Sequence, residues 1–391
     1  MLRGAFQPGG KTSRSGKDTT PFRGRIGNVA GWEPMTSERI AVRDLGVFHV
    51  GQKTVTIEEV ICAAHFRGEL QKSLRRVCAY AQSGTSGREI DEAALQARSE
   101  EFRISRDLIS AEETERWLDE RGLSLDDFSD FLVREEISAS ASVGPDRQAE
   151  DYACAPLEVR ELLRIELLCS GDFDHLATAL AWRLAAREAG SDSPPANAIE
   201  SERARFWERS TLNGERLDSW LQGLGRDAVW FNEMLELEAI FRGQHEALLS
   251  VGSRERTLHA LRMPLMRFDL ELIEVDSRDA AREVFECVSA DGEPMDEVAS
   301  GAGYPYRRTR VFYEDLPEDL QPRLLSARPG EVLDPVEREG LFELCRLVGK
   351  TELDLADNEV RHRVEAKIVE RHFSELVGRF VRWILPPTGT P

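Results

Sequence analysis

Cysteine is scarce in this sequence and is never closely paired. Six cysteines are spread over 391 residues, and none of them falls in a Cys-x-x-Cys arrangement. Dense cysteine frameworks are typical of small secreted domains, and paired cysteines are typical of structural zinc sites. The sequence therefore predicts reduced thiols, no structural zinc and a cytoplasmic protein.

Long hydrophobic runs and a positive charge balance are also missing. No apolar run reaches the roughly 18 residues that a membrane-spanning helix needs, and no apolar segment follows the basic start, so we expect neither a membrane span nor a secretory signal. The formal net charge is -20. Because nucleic-acid phosphates and anionic lipids would repel such a chain, we expect no nucleic-acid partner and no membrane partner.

Motifs that mark common catalytic and cofactor sites are absent as well. The sequence has no Gly-x-Ser-x-Gly, no Walker loop and no Gly-x-Gly-x-x-Gly after a strand, so hydrolase, ATPase and dinucleotide-binding functions lack support. Cys62 and His65 have ligand spacing, and Glu359 with His362 matches one half of a di-iron pair. Neither pair has the additional ligands that a metal site needs. We therefore expect no metal and no cofactor.

The chain instead contains an internal repeat with an offset of 103 residues. Aromatic and aliphatic residues recur without a gap: Trp117, Leu118, Phe128, Leu132 and Ile137 fall on Trp220, Leu221, Phe231, Leu235 and Ile240. Phe102 falls on Phe206 after a slip of one residue. A period of this length exceeds that of stacked solenoid repeats. The pattern predicts a duplicated helical module, which favours binding over catalysis.

The repeat and the local composition predict the first four segments of the chain. Six lysines and arginines and few periodic hydrophobic residues make 1–34 a disordered basic tail; Met35 is a plausible alternative start. Module 1 spans 35–140, with Thr56 capping a helix over 57–81. Residues 141–156 form a linker, and module 2 spans 157–262.

The hydrophobic periodicity changes after residue 262. Alternation at Phe268–Leu272 predicts a strand, and further strands are expected at 310–313 and 341–347 with helices between them. This makes 263–350 a small α+β domain. Residues 351–391 contain a long C-terminal helix that Asp357 caps and Pro386 ends. The predicted fold class is therefore α+β and predominantly helical.

Two stretches carry a family resemblance that covers most of residues 51–385. The run Leu324–Val332, followed by Pro335-Val336 and Gly340, resembles the C-terminal half of a parvulin domain. The helices around Ser110–Trp117 and Leu123–Phe128 resemble the N-terminal chaperone domain of SurA-type proteins. The chain is similar to bacterial parvulin-related proteins associated with peptide maturation. The resemblance implies two SurA-like helical modules, a parvulin-like domain and a C-terminal helix that returns to the helical part and buries Trp383.

The resemblance also implies peptidyl-prolyl isomerisation by a ring of His, Cys or Asp, Met and Phe side chains, and that ring is incomplete here. No histidine lies between His259 and His362. The strand expected to carry the first histidine contains Phe268, and the position expected for the second is Phe342. We therefore predict no catalytic residues and an apolar peptide-binding cleft near Phe268, Phe312 and Phe342. The alternative is that these rings belong to the ordinary core.

The function that we expect is a non-catalytic SurA- and parvulin-like chaperone or peptide maturation factor. Its partner would be an unfolded or precursor polypeptide, with a peptide-modifying enzyme as a further partner. One alternative is an active prolyl isomerase with an altered site. Another is an adaptor that docks a partner through its acidic modules, since residues 100–137 hold thirteen acids and five bases. The chain would be a monomer, or a dimer formed through its C-terminal helix.

Overall fold

A computed structural model describes residues 44–83, 92–140, 152–190, 193–210, 212, 216–338, 340–351 and 353–387. Its fold is α+β and predominantly helical, as predicted. Contacts divide the chain into two compact units. Unit 1 comprises the described residues of Met1–Val47, Thr56–Ala177 and Leu385–Pro391, and unit 2 those of Phe48–Val55 and Thr178–Ile384. The predicted tail, 1–34, lies outside the described residues, as does most of the predicted linker.

A short hairpin opens the described chain. Strand β1 (Gly46–Val50) and strand β2 (Lys53–Thr56) are joined at Gly51, whose φ of 58° is a left-handed conformation that favours glycine. A late strand, β7 (Val381–Trp383), pairs antiparallel with β1, so the sheet order is β2-β1-β7. None of these three strands was predicted from the sequence.

Six α-helices of the described residues lie wholly within unit 1. Their bounds are α1 Ile57–Phe66, α2 Gln71–Ser83, α3 Glu92–Ile104, α4 Ala111–Glu120, α5 Leu125–Ser140 and α6 Leu157–Ser170. Thr56 caps a helix as predicted, and it forms a full capping box, since its side chain accepts from the Glu59 amide and its own amide donates to the Glu59 carboxylate. The single helix predicted over 57–81 is wrong. The chain breaks at Gly68, where φ is 75°, and a new helix follows.

Helices α3, α4 and α5 meet around a cluster of aromatic rings. The Phe102 ring lies 5.3 Å from Trp117 in a T-shaped contact and 4.6 Å from Phe128, measured between ring centroids. Arg98 of α3 and Glu136 of α5 form an ion pair of 2.6 Å across the same helices. These contacts make the three helices one packed group.

The helices from α7 onward repeat this plan within unit 2. Helix α7 spans Asp172–Ala189 and crosses the unit boundary, and it is followed by α8 Ala196–Arg209, α9 Leu217–Gly223, α10 Ala228–Leu248 and α11 Val251–Ala260. The Phe206 ring lies 5.6 Å from Trp220 and 5.0 Å from Phe231. Glu202 of α8 and Arg242 of α10 form an ion pair of 2.5 Å. Here the acid lies on the earlier helix, whereas in the pair of Arg98 and Glu136 it lies on the later one. Equivalent residues of the predicted repeat therefore make equivalent contacts.

Glycines at the repeat offset also share an unusual backbone conformation. Gly68 and Gly171 have φ values of 75° and 87°, and Gly122 and Gly225 have values of 61° and 65°. All four end a helix or follow its last turn. Because a left-handed helix end favours glycine, helix termination is specified at the same two places in each segment.

A four-stranded antiparallel sheet lies between the helices of unit 2. Its strands are β3 Arg267–Val275, β4 Tyr306–Phe312, β5 Val332–Arg338 and β6 Leu341–Thr351, in the spatial order β4-β3-β6-β5. Helices α12 Arg278–Ser289 and α13 Met295–Ala302 connect β3 to β4, and α14 Gln321–Ser326 precedes β5. The three predicted strands are present at somewhat different bounds. Strand β5 and helix α13 were not predicted.

The long C-terminal helix, α15, spans Asn358–Phe380. Asp357 caps it as predicted by accepting from the amides of Glu359 and Val360. Its apolar stripe is buried within unit 2 at Val360, Val364, Ile368, Val369, Phe373 and Leu376. Phe373 stacks on Trp182 of α7 at 5.8 Å and lies 4.6 Å from Phe241 of α10. The predicted stripe is therefore covered by helices of the same unit.

The end of this helix departs from the prediction. The helix stops at Phe380, and β7 follows before Pro386 is reached. Trp383 is half-buried and packs on the Phe48 ring at 5.0 Å in a T-shaped contact. The expectation that Trp383 is buried against a helical module is wrong, because strand pairing with β1 places it in the small sheet.

Candidate functional site

Phe268, the first predicted peptide-binding residue, is fully buried in the sheet of unit 2. It lies in one apolar cluster with Leu270 and Leu272 of β3 and with leucines of α14 and the segment before it. The members of this cluster are Phe268, Leu270, Leu272, Leu316, Leu320, Leu324, Ala327, Leu333, Cys345 and Leu347. This face of the sheet is therefore filled by the protein's own side chains.

Phe312 points to the opposite face, because it pairs with Arg267 and not with Phe268. Its ring is 2% exposed and packs with Val360, Val364 and Ile368 of α15. The guanidinium carbons of Arg267 and Arg363 lie 4.4 and 4.1 Å from its ring centroid. The Arg363 contact joins β4 to the C-terminal helix, and the Arg267 contact joins β4 to β3.

Phe342 belongs to a third apolar cluster. It pairs with Val275 at the far end of β3 and packs, half-buried, with α12 and α13. Phe268, in contrast, pairs with Lys350 on the same partner strand. The three predicted rings therefore do not line one cleft, because the register places them in three separate clusters.

The thiol of Cys345 is the titratable group inside the cluster of Phe268. Burial raises its pKa to about 12, so the thiol is protonated at neutral pH and is a poor nucleophile. The other members of that cluster are apolar side chains. The interior of the cluster is therefore apolar, and the Lys350 ammonium lies at its border, 5.7 Å from the centroid of the Phe268 ring.

Strand β4 has an unpaired outer edge in the described part of the chain. The amide of Tyr313 donates to the Met266 carbonyl at 2.8 Å, and the amide of Glu274 donates to the Pro305 carbonyl at 3.2 Å. Since hydrogen-bonded pairs alternate along an antiparallel ladder, odd-numbered residues of β4 face β3. The backbone groups of Tyr306, Arg308, Arg310 and Phe312 face outward. No other strand of the described chain pairs with this edge.

The opposite edge of the sheet is interrupted. Strand β5 contains Pro335, which has no amide hydrogen, and its register shifts between Leu333 and Val336. The Asp334 carbonyl accepts a hydrogen bond from Arg323. Proline and irregular register are common ways to prevent pairing at a sheet edge. The seven residues of β4 contain no proline.

Arginines give the open edge its charge. Strand β4 has three arginines and no acid, in a chain whose net charge is -20. Arg310 donates to Asp269 at 2.7 Å, and Arg307 forms ion pairs with Glu274 and Glu343 at 3.2 and 2.9 Å. Arg308 is exposed and makes no ion pair with any described residue.

Buried Glu271 orders the face next to this edge. Its carboxylate accepts from the Tyr306 hydroxyl at 2.9 Å and from Arg346 Nε at 2.6 Å. Burial and the hydrogen bond to Glu271 raise the pKa of Tyr306, so the phenol remains a donor at neutral pH. The pairs Glu271–Arg346 and Asp269–Arg310 hold their arginines in place, whereas Arg308 remains available.

This edge was not predicted from the sequence. A strand was expected at 310–313, and the structure places it at Tyr306–Phe312. The run of aromatic, β-branched and arginine residues from Tyr306 was a signal for a longer strand. Which strand lies at the edge depends on the order β4-β3-β6-β5, and a single sequence does not specify that order.

A concavity lies beside the turn between β1 and β2 and the end of α15. Its volume is about 380 Å³. It is lined by His49, Gly51, Arg379, Phe380, Val381 and Arg382. The His49 ring nitrogen Nδ1 lies 2.9 Å from the Thr54 hydroxyl, so the Thr54 contact fixes the imidazole at the rim.

The two candidate metal pairs lie in ordinary helical surroundings. Cys62 Sγ donates to Glu58 at 3.6 Å, and the His65 ring makes a T-shaped contact with Tyr152 at 5.5 Å. Among the residues that the structure describes, no group of three or more His, Cys, Asp or Glu side chains is arranged to hold a metal ion. A search of the same residues for a helix long and apolar enough to span a membrane also found none.

No family model matches the sequence, and no curated protein matches it. Among solved structures, the chain is similar to the peptidylprolyl isomerase PrsA from Bacillus cereus, with 11% identity, a TM-score of 0.35 and coverage of 56% of this chain and 85% of that one. PrsA from Bacillus anthracis is 13% identical with a TM-score of 0.27, and the match covers 53% of this chain and 95% of that one. The foldase PrsA from Streptococcus pneumoniae is 13% identical with a TM-score of 0.24, and the match covers 52% of this chain and 80% of that one. These TM-scores are low, and the likeness places the chain in no family.

Proposed function

We propose that the chain is a polypeptide-binding protein of the chaperone or foldase type, which holds an extended segment without isomerising it. The observation that carries the proposal is the open edge of β4. It offers outward backbone donors and acceptors at Tyr306, Arg308 and Arg310, whereas the next outward-facing residue, Phe312, is buried. Adding a strand to such an edge is a general way to recognise an extended peptide.

Both faces of the sheet support an edge site rather than a cleft. Leu316, Leu320 and Leu324 fill the face that carries Phe268. On the other face, α12 and α13 cover Ile273 and Val275. The protein's own helices therefore cover these apolar areas on both faces, whereas the β4 edge is accessible to an extended peptide.

The absence of isomerase chemistry is part of the proposal. Rotation of an X-Pro bond has a barrier of about 18 to 20 kcal/mol, and a catalyst must stabilise the twisted amide more than the planar one. The cluster around Phe268 offers aliphatic side chains and a protonated Cys345 thiol. We expect the rate of cis/trans exchange in a proline-containing peptide to equal the uncatalysed rate.

We also infer that the two helical segments are copies of one module. The aromatic contacts of Phe102 and Phe206 and the shared conformations of Gly122 and Gly225 support this inference. A further support is the way each group of helices is closed. Glu166 of α6 lies 3.3 Å from Arg76 of α2, and Phe373 of α15 stacks on Trp182 of α7, so a later helix packs on the second helix of each group.

The cytoplasmic location belongs to the proposal as well. Cys62, Cys78, Cys169, Cys287 and Cys345 are free thiols in the described part of the chain. Free thiols, four of them buried, are common in proteins of a reducing compartment.

A binding assay on the full chain tests the proposed function. A fluorescent, permanently unfolded protein, reduced and carboxymethylated α-lactalbumin, is titrated with the chain, and anisotropy is recorded. We expect saturable binding, which the same protein in its native, disulfide-bonded form does not show. Equal or absent binding of both forms would contradict the proposal. In parallel, exchange spectroscopy on an Ala-Pro peptide would contradict the non-catalytic part if the chain accelerated isomerisation.

A further inference from the structure

The arginines of β4 indicate which extended segments suit its edge. Arg308 and Arg310 are both exposed and are two residues apart, so their side chains lie on one face of the strand. Their backbone groups also point outward, as the ladder to β3 requires. The backbone at both positions and the side chain of Arg308 are therefore available to an added strand, while the Arg310 side chain also donates to Asp269 at 2.7 Å.

A strand added to this edge would place its own side chains in register with these arginines. In an antiparallel ladder, directly opposed residues share a face and their Cβ atoms lie about 4.5 to 5.5 Å apart. Residues i and i+2 of the added strand would then face Arg310 and Arg308. Residue i+1 would face the other side, beside Thr309, which pairs with Leu270.

The positive charges of Arg308 and Arg310 determine which side chains are favourable at residues i and i+2 of the added strand. Arg308 has no ion pair among the described residues, and Arg310 shares only the carboxylate of Asp269. A second arginine or lysine opposite them would be repelled, whereas an aspartate or glutamate would form a cross-strand ion pair. The same repulsion disfavours antiparallel pairing of this edge with a second copy of the chain.

We propose that the β4 edge binds an extended polypeptide segment with acidic residues at alternate positions, in the pattern acid-x-acid. This deepens the proposed function and rests on it. The backbone of Arg308 and Arg310 supplies affinity for any extended chain, and their guanidinium groups select the acidic pattern. Tyr306 and Phe312, the outer two outward-facing residues, mark the ends of the edge.

Two labelled peptides of identical composition test the pattern. One carries Glu-Thr-Glu in the centre of a proline-free, β-branched sequence, and the other carries Glu-Glu-Thr. We expect the alternating peptide to bind roughly two- to fivefold more tightly, since it makes one more cross-strand ion pair, which adds a fraction of a kcal/mol. The difference should shrink at high salt. Equal affinities would overturn the proposed pattern.

Two substitutions at Arg308 separate the backbone contribution from the charge. Arg308→Pro removes an outward amide without breaking a bond to β3, and we expect it to weaken binding of the alternating peptide about tenfold. Arg308→Glu should reverse the preference, so that a Lys-Thr-Lys peptide binds more tightly than Glu-Thr-Glu. Arg282→Glu is the matched control, because its side chain is 82% exposed on α12 and away from the edge. Circular dichroism and thermal melting confirm that each variant is folded.

The outcomes distinguish this inference from the proposed function. If unfolded α-lactalbumin binds but Arg308→Pro leaves peptide affinity unchanged, the edge proposal is wrong and the binding function stands. If neither client binds, the proposed function itself fails. If the chain instead forms a dimer that Arg308→Pro dissociates while no peptide binds, the occupant is a second copy and the acidic-segment proposal is overturned.

Discussion

The rings of Phe102 and Trp117 meet in a T-shaped contact at 5.3 Å, with an angle of 87° between their planes. Phe206 and Trp220 repeat that contact at 5.6 Å and 66°. In both groups, the phenylalanine also contacts a second phenylalanine on the last helix. The aromatic centres of the two helical groups are thus built from equivalent residues, which gives the proposed duplication measurable consequences.

Trp117→Ala and Trp220→Ala should destabilise the protein by similar amounts. Both indoles are buried, at 7% and 3% exposure, and truncating a buried tryptophan to alanine costs about 3 to 5 kcal/mol. Urea denaturation followed by far-ultraviolet circular dichroism measures the change. Ile104→Ala is the control, because Ile104 is 80% exposed and should change the stability by no more than about 0.5 kcal/mol. A cost for either tryptophan as small as that of the control would contradict its place at an aromatic centre.

Asp357→Asn should remove part of the acid sensitivity of unit 2. A hydrogen bond from Arg267, followed by the amides of Glu359 and Val360, lowers the pKa of Asp357 below its ordinary value of 3.8. A carboxyl with a lowered folded-state pKa stabilises the protein above its unfolded-state pKa and loses that effect as the pH falls through the folded-state value. Melting temperatures measured between pH 6 and about pH 3 should therefore converge for wild type and variant at the acid end.

The matched control for that experiment is Asp276→Asn. Asp276 is exposed and follows β3. Its variant should have nearly the same melting temperature as wild type at each pH. A constant difference between wild type and Asp357→Asn across the pH range would show that Asp357 acts only as a helix cap, independently of its titration.

The cysteines should differ in their reactivity toward iodoacetamide. Burial raises the pKa of the Cys169 and Cys345 thiols to about 12 in each case, so both should remain unmodified at pH 8 in the folded protein. Cys287 is half-buried on α12 and should be alkylated before them, although its pKa is also raised by desolvation and nearby acids. Peptide mass spectrometry after timed alkylation measures the order. Early modification of Cys345 would contradict the closed packing of the sheet under α14.

Periodicity and capping residues predicted much of the helical part of the fold. Thr56, Ser110 and Asp357 each start a helix as the sequence indicated, because a cap is read from residues that are neighbours in the chain. The break at Gly68 was missed because apolar residues keep helical spacing across it. Hydrophobic spacing does not reveal that the backbone reverses its φ angle there.

The predicted binding residues show the limit of such reasoning. Phe268, Phe312 and Phe342 all lie in strands of one sheet. They nevertheless belong to three different clusters, because the face on which each ring lies and its position along the strand depend on the pairing register. A one-residue difference in strand position reverses the face of every side chain. The outward edge of β4 depends in the same way on strand order, which arises from long-range pairing.

Hydrogen exchange at β4 tests the central claim most directly. In the free protein, the outward amides of Arg308 and Arg310 should exchange quickly, and the amide of Thr309, which faces β3, should exchange slowly. Addition of the Glu-Thr-Glu peptide should slow exchange at Arg308 and Arg310 and leave Thr309 unchanged. Unchanged exchange at both arginines at a saturating peptide concentration would contradict the claim that an extended polypeptide pairs with this edge.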